Sequence, residues 1–472
     1  MRYFLLFLLT GLTLLSCRKE EKITTDPSAK LEFSGDTVLF DTVFTTVGST
    51  VASLLVYNPN DKKIVISSIQ LAGGSASQFR LNIDGVPGAS ASNVEISGHD
   101  SLYIFVEVTV DPNNNLSPFL VTDSIVFSTN GNQQDVKLVA YGQNAHYFYA
   151  DQHFPGYPPF SYIPCVGNTA HWINDKPYVI FNYAAVDSGC SLVIDPGVRI
   201  YIHKGGGLWV MQEGNIKVNG TKDLPVTFQG DRLESFYKEE PGQWDRIWIN
   251  ENSTKDNVFN YAVIKNAFIG IQAEVQEAFT TQKLVLNNTQ IRNMTGLGIY
   301  TTGYNVDATN TVIGNCGQQL LGITLGGEFN FTHCSLGNYW NSSERKDPAF
   351  VFNNYNELQA NDLKASFLNC ILDGDQDEEL AYDLDTTSSL GRVKFINSMI
   401  RTQKNTSNAS QYVSVYVNQN PSFTDKIKVD YRLSSGSFAI DKGNTNIPAN
   451  ATTDITEFTR IPPPDLGAYE YH

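Results

Sequence analysis

The sequence predicts an all-β chain: an antiparallel β-sandwich followed by a parallel β-helix. Three observations predict it. From Leu31 to about Asn144, short alternating apolar segments are broken by turn residues. From Pro177 to about Val415, one pattern of residue types recurs at intervals of 22 to 36 residues. Within that pattern, apolar positions sit an odd number apart around a recurrent Asn, which no flat strand can bury on one side.

The chain opens with Arg2 and an unbroken apolar stretch from Tyr3 to Leu9. Leu14-Leu15-Ser16-Cys17 follows, and then the polar run Arg18-Lys19-Glu20-Glu21-Lys22. The apolar core is too short to span a bilayer and has the layout of a secretory signal. A small residue before a cysteine resembles a lipobox, which implies cleavage and acylation at Cys17. Lys19-Glu20-Glu21 resembles the signal that sends Bacteroidetes lipoproteins to the outer face of the outer membrane. Residues 1–17 are thus expected as a lipoprotein signal and 18–29 as a tether, with lipid on Cys17 as the membrane anchor.

The 472 residues are 41% hydrophobic and 17% charged, which suits folded domains with sizeable cores. Lys and Arg total 33 against 49 Asp and Glu, a net charge of -16. That balance argues against nucleic acid, whose affinity rests on phosphate neutralisation. It also argues against a long polybasic groove, while leaving room for a local basic patch. With Cys17 set aside, five of the six cysteines remain, an odd number for a disulfide framework. Cys165 and Cys190 can pair; Cys316, Cys334 and Cys370 read as small buried residues.

Residues 30–145 carry about seven strands, such as Ser53-Leu54-Leu55-Val56-Tyr57 and Leu102-Tyr103-Ile104-Phe105-Val106. The breaks include Asn58-Pro59-Asn60-Asp61 and Asp111-Pro112-Asn113. The phrase VYNPNDKKIVISSIQLAGGSASQFRL resembles immunoglobulin-like modules related to the abnormal-spindle group, which implies an adaptor. Residues 146–176 are aromatic and interrupted by Pro155, Pro158 and Pro159, so the expectation is a folded connector, with a ligand-stacking platform as the sharper idea.

In residues 177–415 one slot holds Tyr261, Asn288, Asn310, His333, Asn369 and Asn397, spaced 27, 22, 23, 36 and 28 residues apart. Two residues earlier stand Phe259, Leu286, Ala308, Phe331, Phe367 and Phe395; three later stand Ile264, Ile291, Ile313, Leu336, Leu372 and Ile400. A corner must fall between them. Asn266, Asn293, Asn315, Asn338 and Gly374, five past the slot, suit a second corner, and Thr402 breaks that series. The residue after each slot (Ala262, Thr289, Thr311, Cys334, Cys370, Ser398) predicts a stacked ladder of small side chains. The slot residues Asn288, Asn310, His333, Asn369 and Asn397 are expected to form a structural ladder beside it.

Pro196-Gly197, Asn219-Gly220-Thr221, Pro225-Val226-Thr227-Phe228 and Trp244 recur in the order of the opening coils of right-handed β-helices. On these residues the chain resembles the pectin-lyase-like superfamily, which implies right-handed coils. Asp441, Gly443, Asn444, Asp454, Arg460 and Asp465-Leu466-Gly467-Ala468-Tyr469-Glu470 resemble a choice-of-anchor Q domain, expected as a C-terminal cap over residues 416–472. Glu457 stands where that family usually has Gly.

The resemblance also implies where chemistry would lie. Polysaccharide lyases of the superfamily set a basic residue against calcium-holding carboxylates on one outer face. Asp373, Asp375 and Asp377 alternate as calcium ligands do, but Glu378 stands at position six, where Gly is wanted, and Leu384 at position twelve. They are the sole calcium candidates, and no other cofactor is expected. Arg392, Lys394 and Arg401 lie one coil onward as a base or clamp. Asp307, Glu328 and Asp362 lie on consecutive coils, where a glycosidase carboxylate pair could form. His171 and His203 have no partner at metal-ligand spacing. Five Asp-Ser/Thr-aliphatic or Asp-Thr-Thr triplets, at Asp36, Asp41, Asp100, Asp123 and Asp385, resemble an O-glycosylation signal, although alternating strands also produce them. The sequence reading is therefore a surface-exposed outer-membrane lipoprotein that binds a polysaccharide or a surface protein without catalysis. A polysaccharide lyase or glycoside hydrolase is the alternative, and a structural adhesin the third.

Overall fold

The computed structural model describes residues 22–275, 279, 281–385 and 392–472. Cys17 and the signal-like segment lie outside the described residues, as do Thr386 and Thr387. The chain divides after Asn144 into two compact units. Among the described residues no helix is long and apolar enough to cross a membrane.

The first unit is built from two five-stranded sheets around one apolar core, three strands more than the seven expected. Alternation does the sorting: in Ser101–Val108 every second residue, from Leu102 to Val108, is buried. Asn130 and Gly131, both with positive φ, join Phe119–Thr129 to Asn132–Gln143 in a two-residue hairpin. Asn132–Gln143 also pairs in parallel with Thr37–Phe44. Thr37, Thr42, Ser101 and Ser124 of the Asp-Ser/Thr triplets all lie on strands of these sheets.

The second unit is a coil with three parallel sheets of eleven, nine and ten strands, here A, B and C in chain order around each turn. Each strand pairs with the equivalent strand one turn on, the arrangement of a parallel β-helix. The aromatic segment 146–176 is not a connector. His146–Phe148, Phe160–Tyr162 and Thr169–Trp172 are the first strands of sheets A, B and C, so the segment forms the first turn. Its prolines fall between the strands, where they cost no ladder hydrogen bond. A disulfide between Cys165 and Cys190 ties this turn to the next. Cys316, Cys334 and Cys370 are free and buried.

The corner from sheet C to sheet A explains the repeat. All six slot residues have φ between 44° and 54°, the left-handed bend that turns both flanking apolar residues inward. Leu286 and Ile291, or Phe367 and Leu372, are fully buried on either side of it. The following small residue is fully buried in all six turns. Its hydroxyl or thiol bridges two carbonyls: Ser398 Oγ donates to Phe367 O and Ile396 O, each at 3.0 Å. At the second corner Asn266, Asn293 and Asn315 are left-handed, whereas Asn338 and Gly374 are not. Asn338 instead uses its amide, accepting from Cys316 N at 3.0 Å and donating to Gln318 O at 3.1 Å.

The C-terminal segment does not sit as a cap on the last turn. Tyr416–Val417 completes sheet A, and the chain then runs back along the outside of that sheet. Val312, Ile371 and Met399 point outward from sheet A into small cores shared with Val429, Tyr431, Leu433, Ala439 and Leu466. Gly314 and Gly337 leave the space that Tyr431 fills; a Cβ on either would fall within 3 Å of its ring or hydroxyl. Tyr431 Oη donates to Gly337 O at 2.6 Å.

Candidate functional site

The acidic run 373–379 is an ion-pair network rather than a calcium loop. Asp373 is buried, and accepts from Arg401 Nε at 2.7 Å and Tyr339 Oη at 2.6 Å. Buried Arg345 donates to Glu379 at 2.5 and 2.8 Å and also to Asp375. Glu379 takes the N–H groups of Gln376 and Ala349 as well, yet burial still pushes its pKa up. Gly374 is required here, since a Cβ would lie 1.9 Å from Glu379 Oε1. Asp377 is exposed. Asp373 and Asp375 are taken up by different guanidinium groups, those of Arg401 and Arg345, and so do not converge on an ion. Among the described residues no group of three or more His, Cys, Asp or Glu could hold a metal. Arg401 is committed to Asp373, and Arg392 and Lys394 lie on sheet C, not opposite this loop on sheet A.

The slot residues form hydrogen-bonded rungs that the C-terminal segment reads. Asn310 Nδ2 donates to Asn288 Oδ1 at 3.1 Å, and Asn369 Nδ2 meets His333 Nε2 at 3.0 Å. His333 is fully buried, and burial pushes its pKa well below the ordinary value, so the ring is neutral. Asn369 Oδ1 accepts from Asn444 N at 2.7 Å, Asn444 Nδ2 donates to Asn397 Oδ1 at 3.2 Å, and Arg460 Nη2 donates to Asn310 Oδ1 at 2.9 Å. Arg460 also pairs with Glu470 at 3.3 Å. Asp454 and Asp465 accept backbone N–H groups of their own segment. Two departures from pattern meet: Tyr261, in an Asn slot, donates through Oη to Oε1 of Glu457 at 3.0 Å. Glu457 holds the left-handed backbone (φ 65°) that Gly would take without strain. These residues lock the fold.

Sheet C presents the open face. One outward row runs in register through His171, Val193, Lys217, Val258, Val285, Asp307, Asn330, Ser366 and Lys394. Beside it stand Glu328, Lys364 and Arg392. Asp307 and Glu328 do come together, bridged by Asn330 Nδ2 at 2.9 and 3.3 Å. Lys283 Nζ donates to Asp307 at 2.7 Å, and that bond raises the lysine pKa. Asp362 pairs aside with Lys364 at 3.1 Å. His146, His171 and His203 each sit 2.7 to 2.8 Å from an aspartate of the same early turns.

At the far end of this face is a cavity of about 650 Å3. Arg392, Lys394 and Lys404 line it with Tyr382, Tyr412 and Gln411, and no carboxylate is among the described residues that line it. Lys404 lies 5.7 Å from the Tyr382 ring centroid and 3.8 Å from Glu378. Lys404 and the polar stretch through Gln411 were not singled out in the sequence. Their one signal was Thr402, where the corner series breaks and a longer connection follows.

Sheet B carries a feature the sequence reading missed. Trp209 is stacked between Tyr157 and Trp248, with centroids 5.5 and 4.7 Å away. The indole N–H groups donate to Asn250 and Glu274 at 2.8 and 2.6 Å. Both faces of Trp209 are therefore occupied by protein, and the aromatic segment 146–176 supplies packing rather than a free stacking platform at this ring.

No protein-family model and no curated protein matches the chain. Among solved structures, the chain is similar over short stretches to a family 123 glycoside hydrolase from Clostridium perfringens, with 8% identity and a TM-score of 0.18. That match covers 24% of this chain and 25% of the hydrolase. A second is the E. coli chaperone DraB, with 12% identity, a TM-score of 0.18, and coverage of 25% of this chain and 55% of that one. Likenesses at this level carry no argument about fold or function.

Proposed function

We propose that this protein binds a polymeric, acidic glycan along sheet C without transforming it. The observation that carries the reading is the outer face of sheet C: polar side chains in register from Asp307 to Lys394, leading to a cavity lined by Arg392, Lys394 and Lys404, with no carboxylate among the described residues that line it. In a chain of net charge -16 such a patch is local, and suits acidic groups presented one at a time on an otherwise neutral polymer. Strand spacing of about 4.8 Å gives repeated contacts along a chain-like ligand. The lipobox-like Cys17 fits a surface lipoprotein of the outer membrane, the immunoglobulin-like resemblance an adaptor, the pectin-lyase-like resemblance a right-handed coil, and the choice-of-anchor Q resemblance the segment locked onto sheet A. The test is incubation of the protein with plant, algal and host polysaccharides, with and without calcium. New reducing ends and the ultraviolet absorbance of unsaturated uronates are the readouts; the reading expects neither, and turnover of any polymer overturns it.

A second reading, a lyase or hydrolase, is favoured by Lys283 beside Asp307 with Glu328 one turn on. Two features weigh against it. Asp307 holds Lys283 protonated, the opposite of what a proton-abstracting base needs. The pair also stands partly exposed on the outer side of sheet C, where water reaches it. Lys283→Ala and Glu328→Gln would abolish any turnover that this group carries.

A further inference from the structure

We infer that a second cavity, of about 520 Å3 on the outer side of sheet A, is a binding site for an acidic sugar. It is separate from sheet C and does not depend on the reading given for that face. Three segments far apart in sequence build it: the insertion 231–246, the connection 339–349 and the turn 426–429 of the C-terminal segment. They close over the corner where Asn293 and Asn315 take left-handed backbone. Neither residue is at that corner by chance of packing: Asn315 Nδ2 donates to Ile427 O at 2.5 Å, and so fixes the turn to the corner.

Three kinds of group converge. Trp340, 8% exposed, borders the cavity, with its indole N–H donating to Ser343 Oγ at 2.9 Å, which sets the ring's orientation. An aromatic ring held in this way suits the apolar C–H face of a pyranose. Asn293, Asn341 and Ser342 offer amide and hydroxyl groups of the kind that pair with sugar hydroxyls. Lys238, Arg292 and Lys428 line the cavity against one carboxylate, Glu239. That carboxylate is already occupied. Burial works against it, but Arg292 and Lys265 outweigh burial and hold its pKa below the ordinary value. Lys265 lies 3.1 Å away and Asn293 Nδ2 3.0 Å away. Lys428 is otherwise only 3.5 Å from exposed Asp425. The surplus is positive, so the ligand carries an acid.

The test uses the full-length protein titrated by calorimetry and saturation-transfer NMR with D-glucuronate, and with D-glucose as the neutral probe. Because the sheet C cavity is also basic, the titrations are run in wild type and in Arg392→Gln/Lys394→Gln. The expected result is glucuronate binding at least tenfold tighter than glucose and retained in that double variant, with a loss of about tenfold in Trp340→Ala. Lys428→Gln, at an exposed turn where folding is not at stake, weakens glucuronate several-fold and leaves glucose unchanged. Binding that shows no preference for the acid, that disappears in Arg392→Gln/Lys394→Gln, or that ignores both Trp340→Ala and Lys428→Gln overturns the assignment.

Discussion

Sheets A and C belong to the same turns of one coil, yet their outer faces differ in kind. Sheet A shows Val312, Ile371 and Met399 outward, spaced by Gly314 and Gly337, and the C-terminal segment covers them. Sheet C shows Lys283, Asp307, Glu328, Asn330 and Lys364 outward, and the segment leaves them open. Inside the coil the two sheets are alike, with Leu, Ile, Phe and Val stacked in rows. Outward residues thus record what covers a face, while inward residues record only the coil. Function belongs on the uncovered side, and on the rim where covering segments leave a gap.

The largest effect should come from breaking the covered face. Arg460→Ala leaves Glu470 buried without its ion partner and cuts the link to Asn310, at a cost of about 3–5 kcal/mol. Chemical denaturation should show it as an earlier transition of the coil; an unchanged midpoint would mean that the segment is only draped over sheet A. Gly374→Ala should rank next, at about 1–3 kcal/mol, because the new methyl displaces the Glu379 carboxylate from Arg345. Denaturation of this variant beside Ala381→Gly, on exposed sheet B, separates the clash from a generic strand effect.

Acid should act unevenly. Glu239 has its pKa lowered in the fold, so its contribution is complete above its ordinary 4.5 and is lost as pH falls through the lower folded value. Glu379 and Glu470 are raised by burial, so their contributions are full below 4.5 and fade as pH rises through the folded values. The melting difference between wild type and Glu239→Gln should therefore shrink below pH 4.5, whereas the difference for Glu379→Gln should not shrink on acidification from pH 7. On the open face, Lys364→Ala and Asp307→Asn should shift stability by no more than about 1 kcal/mol, as exposed pairs do. The smallest effect is expected from Glu457→Gly, which relieves left-handed strain and forfeits the bond from Tyr261, two terms of about 1 kcal/mol that oppose each other.

The coil was legible because its constraint is local. An Asn between two apolar positions an odd distance apart demands a bend, and all six slots take one. The ladder of Thr, Cys and Ser was legible for the same reason. The acidic run misled because its partners lie elsewhere: Arg345 is 30 residues before Asp375, on another connection, and spacing alone cannot show a guanidinium filling the place of a cation. The first turn was hidden by prolines that fall between strands. Docking of the C-terminal segment was unreadable from its motif, although apolar Val312, Ile371 and Met399 at outward positions were a usable sign. The basic cavity was half legible, through Arg392 and Lys394; Lys404 comes from a connection with no repeat to anchor it.

The central claim is that the open face of sheet C takes an acidic glycan through its terminal cavity. Affinity electrophoresis in gels containing a carboxylated polysaccharide or its neutral counterpart tests it most directly, with wild type run beside Arg392→Gln/Lys394→Gln. The account predicts retardation of wild type by the acidic polymer alone, weakened by added salt and strongly reduced in the double variant, whose melting temperature stays that of wild type. Retardation unchanged by the double substitution, or equal migration in both gels, would contradict it.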